Sequence, residues 1–273
     1  MDDHQFHQLL KRLGLSWAGY RKVRKGVKKR ISRHMKQLGC RNMEAYLTRL
    51  ESDGNVRKEC DQLMTVSISR FFRDRKLWES LQNEILPDLA NNQNETFRVW
   101  SAGCACGEEA YSFKIVWEHL NKHVENPPAL EVTATDMNPV YLDRARAGIY
   151  SSSSLKEVRE DLRTTYFEPG PGRNRYAVKA SIKTDIIWKL HQLHDNPPEA
   201  DYHIIFLRNN LLTYYQDHLK KSAFKRVLDR LRPLGFLIIG SQENLPFETP
   251  ELVLFLNCSY VFRKQAPAIL EGA

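Results

Sequence analysis

The amino-acid sequence predicts an α/β fold with a mostly parallel sheet, preceded by a small all-helical domain. Two observations lead to this prediction. From residue 97 onward, short apolar runs alternate with stretches of helical periodicity, as in strands joined by crossover helices. Between residues 4 and 66, apolar residues recur only at helical spacing. The 273 residues suffice for two modest domains, which we expect at 1–70 and 71–273.

The N-terminal domain contains four segments of helical periodicity, at 4–13, 23–35, 43–50 and 56–66. In the second segment, apolar residues at every fourth position form one stripe, and basic residues fill the other faces. A turn at 52–55 separates the last two segments. These patterns predict a small helical bundle.

The C-terminal domain contains the predicted strands. The apolar runs that predict them are FRVWSAG (97–103), LEVTATD (130–136), TDIIWKLHQL (184–193), DYHIIFLRN (201–209), LGFLIIGSQE (234–243) and LVLFLNCSYVFRK (252–264). We interpret the last run as two strands around Asn257, which would form an antiparallel hairpin at the end of the sheet.

Helices are predicted between these strands. One begins near Gly107, and a second begins at Pro139 and ends near Gly148. The serines at 151–154 predict a turn and a source of N-cap groups. A third helix would carry its apolar side chains on one face, at Leu219, Phe224, Val227, Leu228 and Leu231.

Composition excludes several classes of protein. Hydrophobic residues make up 42% and charged residues 27%, which is ordinary for a folded protein and unlike a disordered one. No apolar run approaches the roughly 18 to 20 residues of a membrane helix. The first residues, MDDHQFHQLLKRLGL, carry acids where a signal peptide carries bases. We therefore expect neither a secreted nor a membrane-spanning protein.

The five cysteines are odd in number and include no C-x-x-C pair. This pattern predicts neither a disulfide framework nor a zinc site, so we expect no metal and a reducing, cytoplasmic location. Cys104 and Cys106 are too close in sequence for the usual metal-ligand spacing, and we interpret them as small residues of a tight loop.

The net charge of +8 is concentrated near the N-terminus. Residues 1–60 carry 15 Lys and Arg against 6 Asp and Glu, a net charge of +9, and the segment 21–36 alone contains nine bases and no acid. A basic module ahead of a nearly neutral one predicts a partner-binding surface. Three interpretations of the basic helix stay open: a solvated face, an RNA-binding surface, or a docking surface for an acidic protein helix.

The loop after the first predicted strand has the features of a ligand site. A strand that ends at Gly103, a small-residue loop and a helix from Gly107 bring backbone N–H groups to the carboxyl edge of the sheet. Glu108 and Glu109 would repel a pyrophosphate there, and they suit a cationic ligand such as S-adenosylmethionine. The helix dipole alone would explain one of these acids. Asp136 ends the next strand, where it could either bind a ribose or cap the Pro139 helix.

These segments resemble those of a known family. VWSAGCACGEEAYS (99–112) is similar to the cofactor loop of the CheR-type chemotaxis receptor methyltransferases, and the resemblance runs from about residue 6 to 264. The other segments that carry it are GYRKVRKGVKKRISRHMKQLG (19–39), VSISRFFRD (66–74), ATDMNPVYLDRARAGIY (134–150), IIFLRNNLLTYY (204–215) and LRPLGFLIIGSQENLP (231–246).

The resemblance implies a fold and an activity. The fold would be a Rossmann-like class I S-adenosylmethionine-dependent methyltransferase domain, with a small β-subdomain expected near 165–185. The activity would be transfer of a methyl group to glutamates of chemoreceptors, with S-adenosylhomocysteine as the other product. The basic helix would then bind an acidic receptor helix, at Lys25, Lys28, Lys29 and Arg33.

The resemblance also implies the site residues. The residues that would contact the cofactor are Ser67, Ser69, Arg73, Ala102, Gly103, Glu109, Asp136, Gln192, Leu193, Arg208 and Asn209. Glu109 would bind the amino group and Asp136 the ribose, and Gln192 with Leu193 would flank the adenine. Arg73 and Tyr214 would be the catalytic residues, with Arg73 beside the transferring methyl group and Tyr214 facing the substrate carboxylate.

These residue types suit the reaction. A glutamate carboxylate is already an anion at pH 7, so the transfer requires alignment for in-line attack and no general base. Arg73 can orient a carboxylate with its fixed pair of donors, and Tyr214 can add a neutral donor. The structural alternatives are an ion pair of Arg73 with Asp74 or another acid and half-buried packing of Tyr214.

The sequence differs from the family pattern at several positions. Serines stand at 67 and 69 where members usually have Asn and Thr, and Gln192 replaces a usual Asn. One extra residue precedes the aromatic pair in 208–215, so Tyr215 stays an alternative to Tyr214. The glycine pattern of members that dock to a receptor tail peptide is absent from the stretch 170–176.

Two other functions stay open. One is a non-catalytic signalling module that binds S-adenosylmethionine or a receptor, and the other is an RNA or small-molecule methyltransferase on the same fold. The base-methylating motif N-P-P-Y is absent, and the related segment 196–199 reads N-P-P-E without the stacking aromatic residue.

Overall fold

The structure is a computed structural model that describes residues 1–89, 96–124, 127–255 and 258–266. Asn257, around which we predicted the last two strands, lies outside the described residues.

The N-terminal region is a helical bundle with its own apolar core, as predicted. Its helices are α1 (Asp3–Leu13), α2 (Trp17–Tyr20), α3 (Arg24–Gln37), α4 (Met43–Ser52) and α5 (Gly54–Met64). The predicted turn at 52–55 is shorter in the structure, because Asp53 alone separates two helices and its carboxylate caps α5 through the Asn55 and Val56 amides. The short α2 was not predicted.

A segment that is neither helix nor strand follows the bundle from residue 65 to 73. A helical stretch comes next, made of α6 (Arg75–Ser80), one π-helical turn (Leu81–Ile85) and α7 (Leu86–Leu89). Phe71 and Phe72 form a turn near the end of the joining segment and are buried in the core of the α/β domain. The sequence motif 66–74 thus joins the two parts of the chain.

The α/β domain is built on a seven-stranded sheet in the order β6-β2-β1-β7-β8-β10-β9. Its strands are β1 (Phe97–Ala102), β2 (Leu130–Asp136), β6 (Ile186–Leu190), β7 (Tyr202–Leu207), β8 (Leu231–Ile239), β9 (Leu252–Phe255) and β10 (Cys258–Lys264). The first five strands pair in parallel, and β10 runs antiparallel to both β8 and β9. The predicted mostly parallel sheet with an antiparallel C-terminal hairpin is therefore confirmed.

Helices cover both faces of this sheet. They include α8 (Glu108–Asn121), α9 (Pro139–Ala147), α10 (Glu160–Tyr166), α11 (Ala180–Lys183), α12 (Leu211–Tyr214) and α13 (Asp217–Asp229). Side chains of β1 alternate between two cores, with Phe97 and Val99 on one face and Trp100 and Ala102 on the other. Leu231 does not continue the apolar face of α13 as predicted, since it is the first residue of β8.

A second, three-stranded antiparallel sheet is inserted after α9. It consists of β3 (Ile149–Ser151), β4 (Phe167–Pro169) and β5 (Arg175–Val178), in the order β3-β5-β4. This is the small β-subdomain expected near 165–185, and it begins earlier in the chain than expected. The serine run ends β3 and opens one 3₁₀ turn over Ser152–Leu155, and Ser151 makes no side-chain cap bond there.

Within the described ranges, no helix is long and apolar enough to cross a membrane, and no group of side chains could hold a metal ion. All five cysteines are free thiols. Leu15 and Tyr215 form an isolated bridge between the bundle and the α/β domain. The exact domain boundary at residue 70 stays a prediction.

Candidate active site

The loop after β1 lies tightly against the next strand. The N–H groups of Gly103 and Cys104 both donate to the Thr135 carbonyl at 2.8 Å. Gly103 and Gly107 have φ of +85° and +89°, which is the left-handed region that favours glycine. A Cβ at Gly107 would lie 2.8 Å from that of Ala145, so glycine is also required there by the neighbouring helix α9. At Gly103 the corresponding space is occupied by the Asn210 side chain, so both glycines allow close packing of the loop at the carboxyl edge of the sheet.

Asp136 holds this loop in place from the end of β2. Its carboxylate accepts hydrogen bonds from the Ala105 N–H at 2.9 Å and the Asn138 N–H at 2.8 Å. The N-cap of α9 is Asn138, whose side chain accepts from Val140, so the alternative that Asp136 caps this helix is wrong. Burial raises the pKa of Asp136, and the backbone hydrogen bonds partly offset that rise. Each carboxylate oxygen retains acceptor capacity for a ligand hydroxyl.

The two acids at the start of α8 have different environments. Glu109 accepts from the Ser101 hydroxyl at 2.7 Å and from Arg208 Nη1 at 2.9 Å. Glu108 is buried, one of its oxygens has no hydrogen-bond partner, and burial raises the pKa of its carboxyl. Ser69 interacts with Glu108. Of the two predicted acids, Glu109 therefore forms hydrogen bonds with both oxygens, whereas Glu108 is buried with one oxygen unpaired.

Arg208 connects three parts of the site. Its side chain is only 5% exposed and pairs with Glu109 on α8 and with Asp74 before α6. It also donates to the backbone carbonyl of Arg73 at 3.4 Å. Asp74 is thus bound to Arg208. The alternative in which Asp74 forms an ion pair with Arg73 is therefore wrong.

Arg73 lies in a strained stretch of backbone. Its neighbours Phe72 and Asp74 have φ of +53° and +65°, which is uncommon for residues other than glycine. Phe72 donates its N–H to the Ser112 hydroxyl on α8 at 3.0 Å, and Arg73 Nη1 donates to the Ile68 carbonyl at 2.7 Å. Contacts on both sides therefore hold the segment that carries the Arg73 guanidinium.

These features enclose a cavity of about 150 Å³. The predicted site residues that line it are Ser69, Arg73, Gly103, Glu109, Arg208, Asn209 and Tyr214. The structure thus brings together residues from the joining segment, the loop after β1 and the end of β7. Seven predicted residues that are distant in sequence share one cavity.

A second cavity of about 260 Å³ lies beside the first. It is lined by Gln192 together with residues of the helical bundle and of the loop after β2. Two pairs of consecutive residues connect the cavities. Val66 and Tyr214 line the first cavity, and their neighbours Thr65 and Tyr215 line the second. The two cavities are therefore neighbours at the junction of the bundle with the α/β domain.

The remaining predicted residues do not line the two cavities. Leu193 and Ala102 are buried in the core, and the Ala102 carbonyl accepts from the Asn210 side chain. Ser67 interacts with the thiol of Cys106, whose pKa is raised by burial. Together with Asp136, which is buried at the end of β2, these residues line neither cavity among the described parts of the chain.

The structure distinguishes between the two candidate tyrosines. Tyr214 lines the cavity that contains Arg73, whereas Tyr215 lines the second cavity with Gln192. Tyr214 packs against Tyr20 of the bundle at a ring-centroid distance of 4.9 Å, and burial raises the pKa of its phenol. The phenol therefore stays protonated near neutral pH and can donate a hydrogen bond.

Sequence reasoning missed several residues of the site. Asp74 and Trp78 come from the joining segment and α6, and Asn210 and Thr213 come from the end of β7 and α12. The repeated Asn that follows Arg208 was an available signal, since two polar residues directly after a buried strand are typical of a site edge.

The basic face of α3 is only partly free. Lys25, Lys29 and Arg33 are exposed, whereas Lys28 forms an ion pair with Asp3 at a distance of 2.8 Å. Arg24 pairs with the same aspartate. Of the four predicted docking residues, Lys28 is thus the one that already has an acidic partner within the bundle.

Comparison with known proteins identifies relatives of this chain. Residues 67–262 match the family described as CheR methyltransferase, SAM binding domain. A chemotaxis protein methyltransferase of Listeria monocytogenes is 31% identical over 244 residues, which covers 88% of each chain. Chemotaxis protein methyltransferase Cher2 of Pseudomonas putida is 28% identical, over 80% of this chain and 82% of its own. Chemotaxis protein methyltransferase 1 of Pseudomonas aeruginosa is 26% identical, over 85% and 86%.

Proposed function

Because this chain belongs to the CheR methyltransferase family and contains its S-adenosylmethionine-binding domain, we propose that it methylates glutamate side chains of chemoreceptors. One observation supports this substrate above all. Arg73 and Tyr214, which can both donate to a carboxylate, line the same cavity as Glu109 and the loop after β1. A carboxylate acceptor and a cationic methyl donor would each find groups of complementary charge there.

The residues of the two cavities fit S-adenosylmethionine. The Glu109 carboxylate lines the first cavity, and beside its bonds to Ser101 and Arg208 it can accept from a cationic amino group. Gly103 also lines this cavity. Asp136 can accept from ribose hydroxyls beside the loop. Gln192 and Tyr215 line the neighbouring cavity, which we assign to the adenine.

The chemistry requires little of the protein beyond placement. When bound, S-adenosylmethionine would supply a methyl group on a cationic sulfur. A glutamate oxygen would bond to the methyl carbon, and the sulfur would keep the electron pair of the broken C–S bond. Arg73 would orient the attacking carboxylate through two parallel N–H donors. Tyr214 would hold the other side of the carboxylate with a neutral hydrogen bond, which avoids lowering its nucleophilicity by protonation. The hydrogen bond from Arg73 Nη1 to the Ile68 carbonyl would fix the direction of the guanidinium.

The partner would be an acidic helix of a chemoreceptor. Lys25, Lys29 and Arg33 present an exposed positive surface on α3. Opposite charge on a receptor helix would speed encounter and set its orientation. We include Lys28 as a weaker contributor, since Asp3 already neutralises part of its charge.

The test is methyl transfer from labelled S-adenosylmethionine to receptor-containing membranes, with release of the label as methanol in base. A glutamate methyl ester releases methanol, whereas a methylated nitrogen or RNA base does not. We expect Arg73→Ala to abolish this transfer, whereas Arg75→Ala, at an exposed arginine on α6, serves as the matched control and leaves it intact. Base-stable label, label in RNA, or cofactor binding without turnover would each contradict the proposal.

A further inference from the structure

Glu243 is a buried acid outside the predicted set of site residues. It lies in the loop after β8 and is 9% exposed. Three neutral groups donate hydrogen bonds to its carboxylate. The Gly240 and Asn209 amides reach Oε2 at 2.7 and 2.8 Å, and the Thr213 hydroxyl reaches Oε1 at 2.5 Å. These donors offset the cost of burying the carboxylate.

The first consequence concerns the backbone at the end of β7. Asn209 has a φ of +54°, in the left-handed region that asparagine adopts more readily than most residues other than glycine. Its N–H is held by Glu243. A Cβ at Gly240 would lie 2.7 Å from Glu243 Oε2 and 2.9 Å from Asn209 Oδ1, so the glycine leaves the space that this contact needs. The carboxylate thus joins the ends of two neighbouring strands, β7 and β8.

The second consequence concerns α12. This helix has four residues, Leu211–Tyr214, and a single turn has no stability of its own in water. The Thr213 hydroxyl ties the turn to Glu243, and Tyr214 follows directly in the sequence. Asn209, Thr213 and Tyr214 all line the cavity that contains Arg73. Second to burial, the negative charge of Glu243 also raises the pKa of the Tyr214 phenol.

We therefore propose that Glu243 is a positioning residue for methyl transfer, which holds Asn209 and Tyr214 at the cavity through its two carboxylate oxygens. This inference rests on the function proposed above. Glu243 contacts Asn209 and Thr213, and these two residues line the cavity. Its removal would displace the donor that faces the substrate carboxylate and would leave the cofactor loop after β1 in place.

The test compares Glu243→Leu with Glu243→Gln in the full chain. Leucine fills the space without an acceptor, so we expect turnover per S-adenosylhomocysteine-binding site to fall about tenfold or more. Glutamine keeps the oxygen that accepts from both amides, and its NH₂ can donate to the Thr213 hydroxyl, so the loss should be no more than about threefold. Glu248→Leu, at an exposed acid in the same connection, is the matched control. Calorimetric titration counts the binding sites, so that misfolded protein does not enter the comparison.

Hydrogen exchange gives a readout that does not depend on activity. We expect Glu243→Leu to speed amide exchange in residues 208–215 and to leave residues 103–107 unchanged. If Glu243→Leu fails to fold, Thr213→Val against Thr213→Ser tests the Oε1 contact alone, and valine should lower turnover about tenfold more than serine does. Equal turnover and exchange for Glu243→Leu and the unsubstituted chain, or equal turnover for the Thr213 pair, would overturn the inference. Failure of the unsubstituted chain to methylate receptors would instead count against the proposed function.

Discussion

Asp136 combines two tasks at the scale of a single residue. Its carboxylate fixes the loop after β1 through the Ala105 amide, and we assign the same group to the cofactor ribose. Because burial raises its pKa, protonation begins at a higher pH than for an ordinary aspartate. A protonated carboxyl accepts fewer hydrogen bonds. As the pH falls, the acceptor that we assign to the ribose is therefore lost while most surface carboxylates are still ionised.

We therefore expect affinity for S-adenosylhomocysteine to fall on acidification from a pH above the usual aspartate range. The fold should persist there, because a carboxyl with a raised native pKa binds its proton more readily when folded, and protonation relieves the cost of its burial. Calorimetric titrations between about pH 4 and 8 measure the affinity, and circular dichroism monitors the fold. Asp136→Asn should bind weakly throughout and lack this acid-side decline. Affinity that stays constant down to the ordinary aspartate range would contradict the assignment.

Asp74 is a second residue whose contact decides a local geometry. It binds Arg208 and has a left-handed backbone next to Arg73. We expect Asp74→Ala to lower the free energy of unfolding by about 1–3 kcal/mol and turnover by about tenfold, because Arg208 then loses one of its two carboxylates. Asp74→Asn should lose less, since Asn tolerates this backbone conformation and can still accept a hydrogen bond.

Urea unfolding and the methyl-transfer assay measure the two effects. Asp143→Ala is the control. The Asp143 side chain is 74% exposed and pairs with Arg146, and such surface pairs contribute at most about 1 kcal/mol to the free energy of unfolding. Equal stability and turnover for Asp74→Ala and Asp143→Ala would show that the buried pair does not position Arg73.

At the scale of elements, the contact of α2 with α12 joins the bundle to the site. A Cβ at Gly19 would overlap the Thr213 carbonyl, so the two short helices approach as closely as backbones allow. Tyr20 and Tyr214 pack together beside this contact, and the Ser16 N–H donates to the Tyr214 carbonyl at 2.7 Å. The bundle therefore supports the element that carries Tyr214.

We expect Gly19→Ala to lower the free energy of unfolding by about 1–3 kcal/mol through overpacking, and to lower turnover by displacing α12. Gly26→Ala on α3 is the matched control, because its Cβ would meet nothing closer than Arg30 Nη1 at 4.0 Å. That substitution should stabilise the protein by about 0.5–1 kcal/mol through its effect on helix propensity. Urea unfolding of both variants measures the difference, and equal effects would contradict the close approach.

At the scale of the whole molecule, positive charge is separated from the catalytic cavity. The excess charge of +9 lies in residues 1–60, and its exposed members on α3 face solvent. The cavity that contains Arg73 is lined by the joining segment and by residues of the α/β domain, and no residue of α3 lines it. This separation predicts that receptor docking and cofactor binding can be changed independently.

We expect the double variant Lys25→Glu and Lys29→Glu to raise the KM for receptor about tenfold at low salt, and less at high salt where charges are screened. Affinity for S-adenosylhomocysteine should not change. The control is Lys221→Glu with Lys225→Glu on α13, which reverses two exposed lysines at the same spacing. Equal losses for the two pairs would indicate a general charge effect, and an unchanged KM for the α3 pair would contradict docking by this face.

Most of the architecture could be predicted from the sequence, because it depends on patterns within short windows. Every predicted strand run corresponds to a strand, and the helices from Gly107 and Pro139 begin within one residue of their expected starts. The joining stretch 75–89 was not predicted. Its apolar residues pack against residues of distant strands, as Trp78 does against Phe206, and no local period records that contact.

The sequence by itself determined the fold class, the cofactor loop, the segregation of charge and half of the residues that line the cavity that contains Arg73. The fold class follows from local periodicity, and the site residues follow from the resemblance of contiguous segments to the methyltransferase family. The tertiary structure alone decided that Tyr214 and not Tyr215 lies with Arg73, that Asp74 binds Arg208, and that Glu243 supports Asn209. Each of these depends on contacts between residues far apart in sequence, whose geometry exists only after the sheet and the bundle have packed together.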